Sequence, residues 1–207
     1  MTMKLFYSTG SCARASHIAL EEAGADYEAV RISLKDGDQR KPEYLKLNPK
    51  GRVPVLVTDG GVLTENVAIL AFVAQSYPAA KLAPLDNPFM FAKMQSLNSY
   101  LSSTVHVAHA HKGRGSRWAD DPAAIEAMKK KVPQSVGACF EMIENELFAG
   151  PWAIGSDYSV ADAYLYTLAT WLEGDSVDPK QFPKVLDHRN RMEQRPAVQR
   201  VLAAEKA

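Results

Sequence analysis

The sequence has only two cysteines, Cys12 and Cys139, and no Cys-x-x-Cys pair. That scarcity argues against a secreted disulfide framework and against a cysteine-ligated metal site. Neither sign of charge is in excess, because Lys plus Arg and Asp plus Glu each number 24. Nucleic-acid binders usually carry a basic surplus, so that class is disfavoured, as is a polybasic membrane-surface protein. No apolar run approaches the roughly 20 residues needed to cross a bilayer. The opening Met1-Thr2-Met3-Lys4-Leu5-Phe6-Tyr7 lacks the long apolar core of a secretory signal, which makes the cytoplasm the expected location. Internal repeats and low-complexity tracts are also missing. Hydrophobic residues still make up 46% of the 207 residues, enough for a core that needs no staples.

The first part of the chain alternates strand and helix signals. Lys4 to Tyr7 reads as a short buried strand, and Ser8-Thr9-Gly10-Ser11 as turn chemistry. A helix follows, with Ala15, Ile18, Ala19 and Ala23 on its apolar side and Gly24 as its stop. Tyr27 to Leu34 reads as a second strand, so the opening predicts a parallel pair joined by a right-handed crossover. Lys35 to Lys41 is a polar loop, Pro42 begins a short helical turn, and Asn48-Pro49-Lys50-Gly51 is another turn. Val53 to Val57 is a strand entered through Pro54. Asp59-Gly60-Gly61 suits a tight hairpin that returns Val62 and Leu63 antiparallel. Asn66 to Tyr77 is helical, with Ile69, Leu70, Phe72 and Val73 apolar, and Pro78 ends it.

The stretch from Pro78 to Pro88 contains three prolines and reads as a linker. Beyond it strand patterns stop, and helices are predicted over roughly 88–118, 123–148, 159–173 and 183–205. The chain therefore divides into a mixed α/β unit over 1–80 and an all-α unit over 88–207.

Several residues carry possible chemistry. Proline cannot donate to a strand ladder, so Pro54 at a strand entry needs a reason. A cis Val53-Pro54 bond would turn the Val53 N–H and C=O outward, where an extended peptide could pair with them; trans is the commoner form, with cis at about 5% of X-Pro bonds. Glu65 and Asn66 stand directly before a helix, whose free N–H groups attract a carboxylate. Glu65 can accept from an ammonium group, so this turn offers both halves of an amino-acid zwitterion; an ordinary helix cap is the plainer reading. Cys12 lies where the first strand hands over to the first helix, a place whose amide donors lower a thiol pKa. It could equally be a small buried cysteine without a reactive role. Ser11 beside it could donate to a bound thiolate, and Tyr7 is a third donor that as a strand residue is expected to pack. Ser159-Val160-Ala161-Asp162 is a capping box, a folding signal. His106 and His109, three apart, share a helix face and are read as packed or solvated histidines; no metal is expected. Lys112-Gly113-Arg114-Gly115-Ser116-Arg117 lacks P-loop spacing and a preceding strand.

In order and spacing these pieces resemble the cytosolic glutathione transferases, across essentially the whole chain. The strand-turn-Ser11-Cys12-helix opening, Val53-Pro54, Glu65-Asn66 and Ser159-x-x-Asp162 carry the resemblance, and the chain looks most like the bacterial beta class. That class has a cysteine matching Cys12 and a histidine matching His106. The resemblance implies a thioredoxin-like N-terminal domain with an all-α C-terminal domain, glutathione as co-substrate, a homodimer, and a small electrophile bound between the domains. It also implies a cis Pro54, Val53 backbone pairing with the cysteinyl part of glutathione, Glu65 and Asn66 holding the γ-glutamyl group, and Lys35 reaching the glycine carboxylate. Arg52 completes the candidate glutathione-binding set, while Cys12, Ser11 and His106 are the candidate catalytic residues. The family's usual serine after the glutamate is Asn66 here, which can still donate. The segment from His109 to Trp118 is more basic than the beta-class pattern, and His109, Arg114 and Arg117 point to polar or anionic acceptors. Two other readings stay open: a glutathione-dependent thiol-disulfide oxidoreductase using Cys12, and a non-catalytic ligand carrier.

Overall fold

The computed structural model of the chain describes residues 2–206. Strand β1 (Met3–Tyr7) leads into helix α1 (Ala13–Ala23) and back into β2 (Tyr27–Arg31). β1 and β2 pair in parallel, with Leu5 opposite Ala29. Gly24 ends α1 at a φ of 63°, and its N–H and that of Ala25 close on the carbonyls of Glu21 and Leu20. β2 stops at Arg31 and not at the expected Leu34, although the Ile32 N–H still bonds the Tyr7 carbonyl at 2.8 Å. The next turn claims the chain, because the Asp38 carboxylate accepts from the Ser33 N–H at 2.7 Å.

After helix α2 (Pro42–Leu47), β3 (Val55–Thr58) pairs antiparallel with β1, and β4 (Gly61–Thr64) pairs antiparallel with β3. The resulting order is β2-β1-β3-β4. The hairpin turn is Asp59-Gly60, with Thr58 opposite Gly61. Helix α3 (Asn66–Ser76) then buries Ile69, Leu70, Val73 and Ala74. The proline-rich stretch is mostly irregular, but it is anchored: Leu82 is buried and its carbonyl accepts from the Val160 N–H at 2.9 Å.

Beyond it the regular elements are helices, apart from an isolated bridge between Trp152 and Gly155. The first expected long helix is α4 (Pro88–Tyr100), a widened π turn at Leu101–Val105, then α5 (His106–Arg114). The second is α6 (Pro122–Met142), which also closes on a π turn, Ile143–Leu147. Helix α7 (Val160–Ala169) is buried along its whole length and opens on the expected capping box. The helix expected over 183–205 is two helices, α8 (Pro183–Glu193) and α9 (Pro196–Lys206). Pro196 supplies the reason, since it cannot donate to the preceding turn and disfavours helical backbone at Arg195.

One buried cluster joins the two parts of the chain. It runs from Leu5 and Leu56 in the sheet through Ile69 and Leu70 of α3 to Leu101, Val105, Tyr164 and Leu165 in the helical part. Helix α9 lies antiparallel against α1, fastened by Arg14 to Glu205, Glu21 to Arg200, and Glu22 to Arg195. No helix among the described residues is long and apolar enough to cross a membrane.

Candidate functional site

The Val53-Pro54 bond is cis. Two side chains fix the segment that carries it: Tyr44 Oη and Asn48 Nδ2 both donate to the Arg52 carbonyl at 2.8 Å. The Val53 carbonyl accepts from Cys12 Sγ at 3.5 Å. One of the two polar groups expected to face a ligand therefore already has a weak internal donor.

Cys12 departs from the low-pKa expectation. It is the N-terminal flanking residue of α1, yet its side chain is 9% exposed. Burial pushes its thiol up to about 11, outweighing the positive charge of Arg114 and the hydrogen bonds of its surroundings. Ser11 is also engaged. Its hydroxyl donates to the Ser8 carbonyl at 2.6 Å and accepts from the Ala13 N–H at 3.3 Å, closing the turn into α1. Tyr7 packs, as expected of a strand residue, with its ring centroid 4.8 Å from that of His17.

Glu65 and Asn66 stand at the start of α3, as the sequence predicts, but they do different work. Glu65 takes a φ of 72°, rare for a residue with a side chain, and its carboxylate is solvent-facing. Lys50 Nζ pairs with it at 2.5 Å and donates to Thr64 Oγ1 at 2.7 Å. Asn66 turns inward. Its Oδ1 accepts from Ser16 Oγ at 2.6 Å, and its Nδ2 donates to the Cys12 carbonyl at 2.8 Å. The side-chain donor expected for a ligand thus binds the α3 start to the Cys12 loop. What Asn66 offers a ligand is its backbone N–H, one of the unpaired groups at a helix start. Lys35 lies on the exposed turn after β2, and Arg52 is exposed beside Val53.

From the helical part, His106 opens α5 directly after the π turn. Burial pushes its imidazole down to about 4, and the charges of His109, Arg114, Arg117 and Arg52 act in the same direction. Arg117 is itself held below its ordinary value by desolvation and by Arg114, Arg52 and Arg40. The field around His106 is therefore strongly positive. Trp171, after α7, links the two parts: its ring centroid is 5.2 Å from that of His106, and its Nε1 donates to the Gly10 carbonyl at 3.0 Å. His109 stacks on the same indole at 4.2 Å and places Nδ1 2.7 Å from Asp175 Oδ2.

Lys50, Trp171 and Asp175 are the residues that sequence reading missed. Each acts through a partner remote in the chain, and none sits in a local motif. No group of three His, Cys, Asp or Glu among the described residues could hold a metal.

Comparison with known proteins finds matches both to family models and to solved structures. The family described as glutathione S-transferase, N-terminal domain, matches residues 1–75, and its C-terminal domain counterpart matches residues 88–196. Glutathione S-transferase GstA of Escherichia coli O157:H7 is 34% identical over 206 residues, 98% of each chain. A glutathione transferase homologue from Sulfitobacter, solved with bound glutathione, superposes with a TM-score of 0.95 at 41% identity over 98% of both chains. The bacterial beta-class enzyme of Sphingomonas chungbukensis superposes at 0.84, with 35% identity over 98% of each chain.

Proposed function

The chain belongs to the glutathione S-transferase family, and from that premise we propose that it binds glutathione between the cis-Pro54 loop and the start of α3 and directs the thiolate onto an electrophile held between the sheet domain and the helices. The observation that carries this reading is the convergence of three backbone-fixed features on one edge: the cis Val53-Pro54 bond, the positive-φ Glu65, and the amide-rich starts of α1 and α3. The division of labour follows the two parts of the chain, a glutathione-binding domain over 1–80 and an acceptor-binding domain over 88–207.

In this reading the γ-glutamyl carboxylate meets the free N–H groups of α3, where the helix dipole favours an anion. Its ammonium replaces Lys50 at Glu65. That exchange costs little, because an exposed ion pair is worth about 0–1 kcal/mol. The Val53 backbone pairs with the cysteinyl unit, and Lys35 and Arg52 serve the glycine carboxylate. The sulfur then lies toward Ser11, Cys12 and His106. A thiol ionises near 8.5 in water, and lowering that by about two units takes roughly 2.7 kcal/mol. A charge-assisted hydrogen bond supplies about 1.5–3 kcal/mol. Neutral His106 as donor, with Arg52, Arg114 and Arg117 contributing their field, meets that requirement. Cys12, buried and protonated, serves as packing and as a weak donor to Val53, which disfavours the disulfide-reductase reading. The same guanidinium groups favour anionic electrophiles. Equal turnover of matched neutral and anionic acceptors, unchanged by Arg114→Ala, would overturn that preference.

The protein works as a cytoplasmic homodimer in this reading, and a monomer mass by light scattering at micromolar concentration contradicts the dimer. The deciding experiment for function is calorimetric titration of glutathione at neutral pH. Saturable binding that Glu65→Ala weakens about 10- to 100-fold, the equivalent of one charged hydrogen bond, supports the site. No binding in the millimolar range refutes it. Retained conjugation by Cys12→Ala separates transferase from reductase.

A further inference from the structure

A transferase must remove the thiol proton of glutathione, and none of the three side chains singled out from the sequence is placed to accept it. Cys12 is buried and keeps its own proton up to about 11. The Ser11 hydroxyl is bonded to the Ser8 carbonyl. His106, pushed down to about 4, holds no proton near neutrality and does not gain one readily.

His109 is built differently. It lies one turn further along α5, and its Nδ1 is 2.7 Å from Asp175 Oδ2. The Asp175 side chain is 1% exposed, whereas that of His109 is 31% exposed. A buried carboxylate at Nδ1 fixes the proton there and leaves the lone pair on Nε2. No described group bonds Nε2. The ring is held on a second side by Trp171, stacked at 4.2 Å, and Trp171 is tied to Gly10 two residues before Cys12. An oriented imidazole with a free nitrogen thus stands on the indole that joins the helices to the Cys12 loop, 6.4 Å between ring centroids from His106.

We propose that His109, oriented by Asp175, takes the proton of the glutathione thiol, directly or through one water. The inference rests on the transferase reading. In the reaction, the S–H bond breaks, the proton moves to Nε2, and the sulfur keeps the electron pair. The imidazolium is balanced by the Asp175 carboxylate. With a chloronitrobenzene as acceptor, the thiolate forms the C–S bond, chloride leaves with the C–Cl pair, and His109 returns the proton to water. Asp175 and Trp171 are positioning residues. The charged groups set against this site are Asp175 at the His109 Nδ1 and Lys112 on the other Asp175 oxygen; Arg114, Arg117 and Arg52 act on the neighbouring His106. Lys112 lies 3.4 Å from the second Asp175 oxygen and donates to the Gly174 carbonyl.

The test compares wild type, His109→Gln and Asp175→Asn in the full-length protein. Glutathione affinity is read by calorimetry, bound thiolate by ultraviolet absorbance, and kcat/KM against pH with a chloronitrobenzene. His109→Gln is expected to bind glutathione within about twofold of wild type. Its kcat/KM should fall about 100-fold or more, the usual contribution of a general base, and its acidic limb should disappear. Asp175→Asn loses the carboxylate that orients Nδ1 and is expected to lower kcat/KM and the bound-thiolate absorbance, with a smaller loss than His109→Gln. If His109→Gln binds glutathione normally and keeps both rate and limb, His109 is only a tether and the proposal is overturned while the transferase reading stands. If the wild type does not bind glutathione, both fail together. Should His109→Gln lose folding, Asp175→Asn decides alone, because unchanged kcat/KM and bound-thiolate absorbance in that variant are also incompatible with the proposal.

Discussion

At the candidate site one residue with a side chain holds a backbone conformation that glycine adopts more readily. Glu65 occupies a φ of 72°, which costs a residue with a side chain about 1–3 kcal/mol. Glycine adopts that backbone freely and loses only about 0.5–1 kcal/mol to unfolded-state entropy. Glu65→Gly is therefore expected to be more stable than Glu65→Ala by about 1–2 kcal/mol in urea unfolding, while both are expected to bind glutathione about 10- to 100-fold more weakly. Equal stabilities would mean that the backbone at Glu65 is not strained. His106 gives a pH signature. Its imidazole titrates lower in the folded protein than its ordinary 6.5, at about 4, so the folded state binds fewer protons than the unfolded one. The stability it contributes is complete above 6.5 and is lost as pH falls from 6.5 toward 4. At about 1.4 kcal/mol per pH unit the ceiling is about 3 kcal/mol. Burial pushes His17 in the same direction. His106→Gln should flatten this acid-side loss, leaving the part due to His17. An unchanged slope of melting temperature against pH between 6.5 and 4 would contradict the burial of His106.

At the scale of elements, local chemistry made much of the fold legible. Gly24, the Asp59-Gly60 hairpin, Pro54 and the Ser159 box each act within a few residues, so each could be read directly. The capping box shows where such reading ends. Asp162 Oδ2 accepts from the Ser159 N–H, as a capping box requires, and also from the Ser159 hydroxyl. Its Oδ1 also accepts from the Ala153 N–H at 2.7 Å and lies 2.9 Å from His188 Nε2. A cap became a fully buried hub. Asp162→Ala is expected to cost about 3–5 kcal/mol, more than the roughly 1 kcal/mol of an ordinary cap, and urea unfolding distinguishes the two. The break at Pro196 was also available in the sequence, but a continuous helical period concealed it. The π turns at Leu101–Val105 and Ile143–Leu147 left no comparable mark. The candidate site was half legible. Its backbone devices, Pro54 and the α3 start, follow from motifs. Lys50 on Glu65, Asn66 on Ser16, and Asp175 on His109 depend on folding that no spacing records.

In the whole molecule, the edge proposed to bind glutathione is braced by distant chain. Arg14, on the first turn of α1, donates to the Glu205 carboxylate at 2.5 Å and to Thr170 Oγ1 at 3.0 Å. The pair is nearly dry, with side-chain exposures of 11% and 4%. Removing one partner of a buried pair costs about 3–5 kcal/mol. Glu205→Ala should lose that much stability and weaken glutathione binding, because Arg14 follows Ser11 and Cys12 in the same turn. Full affinity in Glu205→Ala would show that α9 braces α1 without reaching the site.

This brace joins residues made at opposite ends of synthesis. Glu205 lies 191 residues after Arg14. While the ribosome still holds α9, the β1–α1 turn lacks the partner that fixes its first helical arginine. A nascent chain stalled before α9 carries the sheet and the whole of α3 without Glu205, and on the proposed site it is expected to hold glutathione more weakly than the chain with α9 in place.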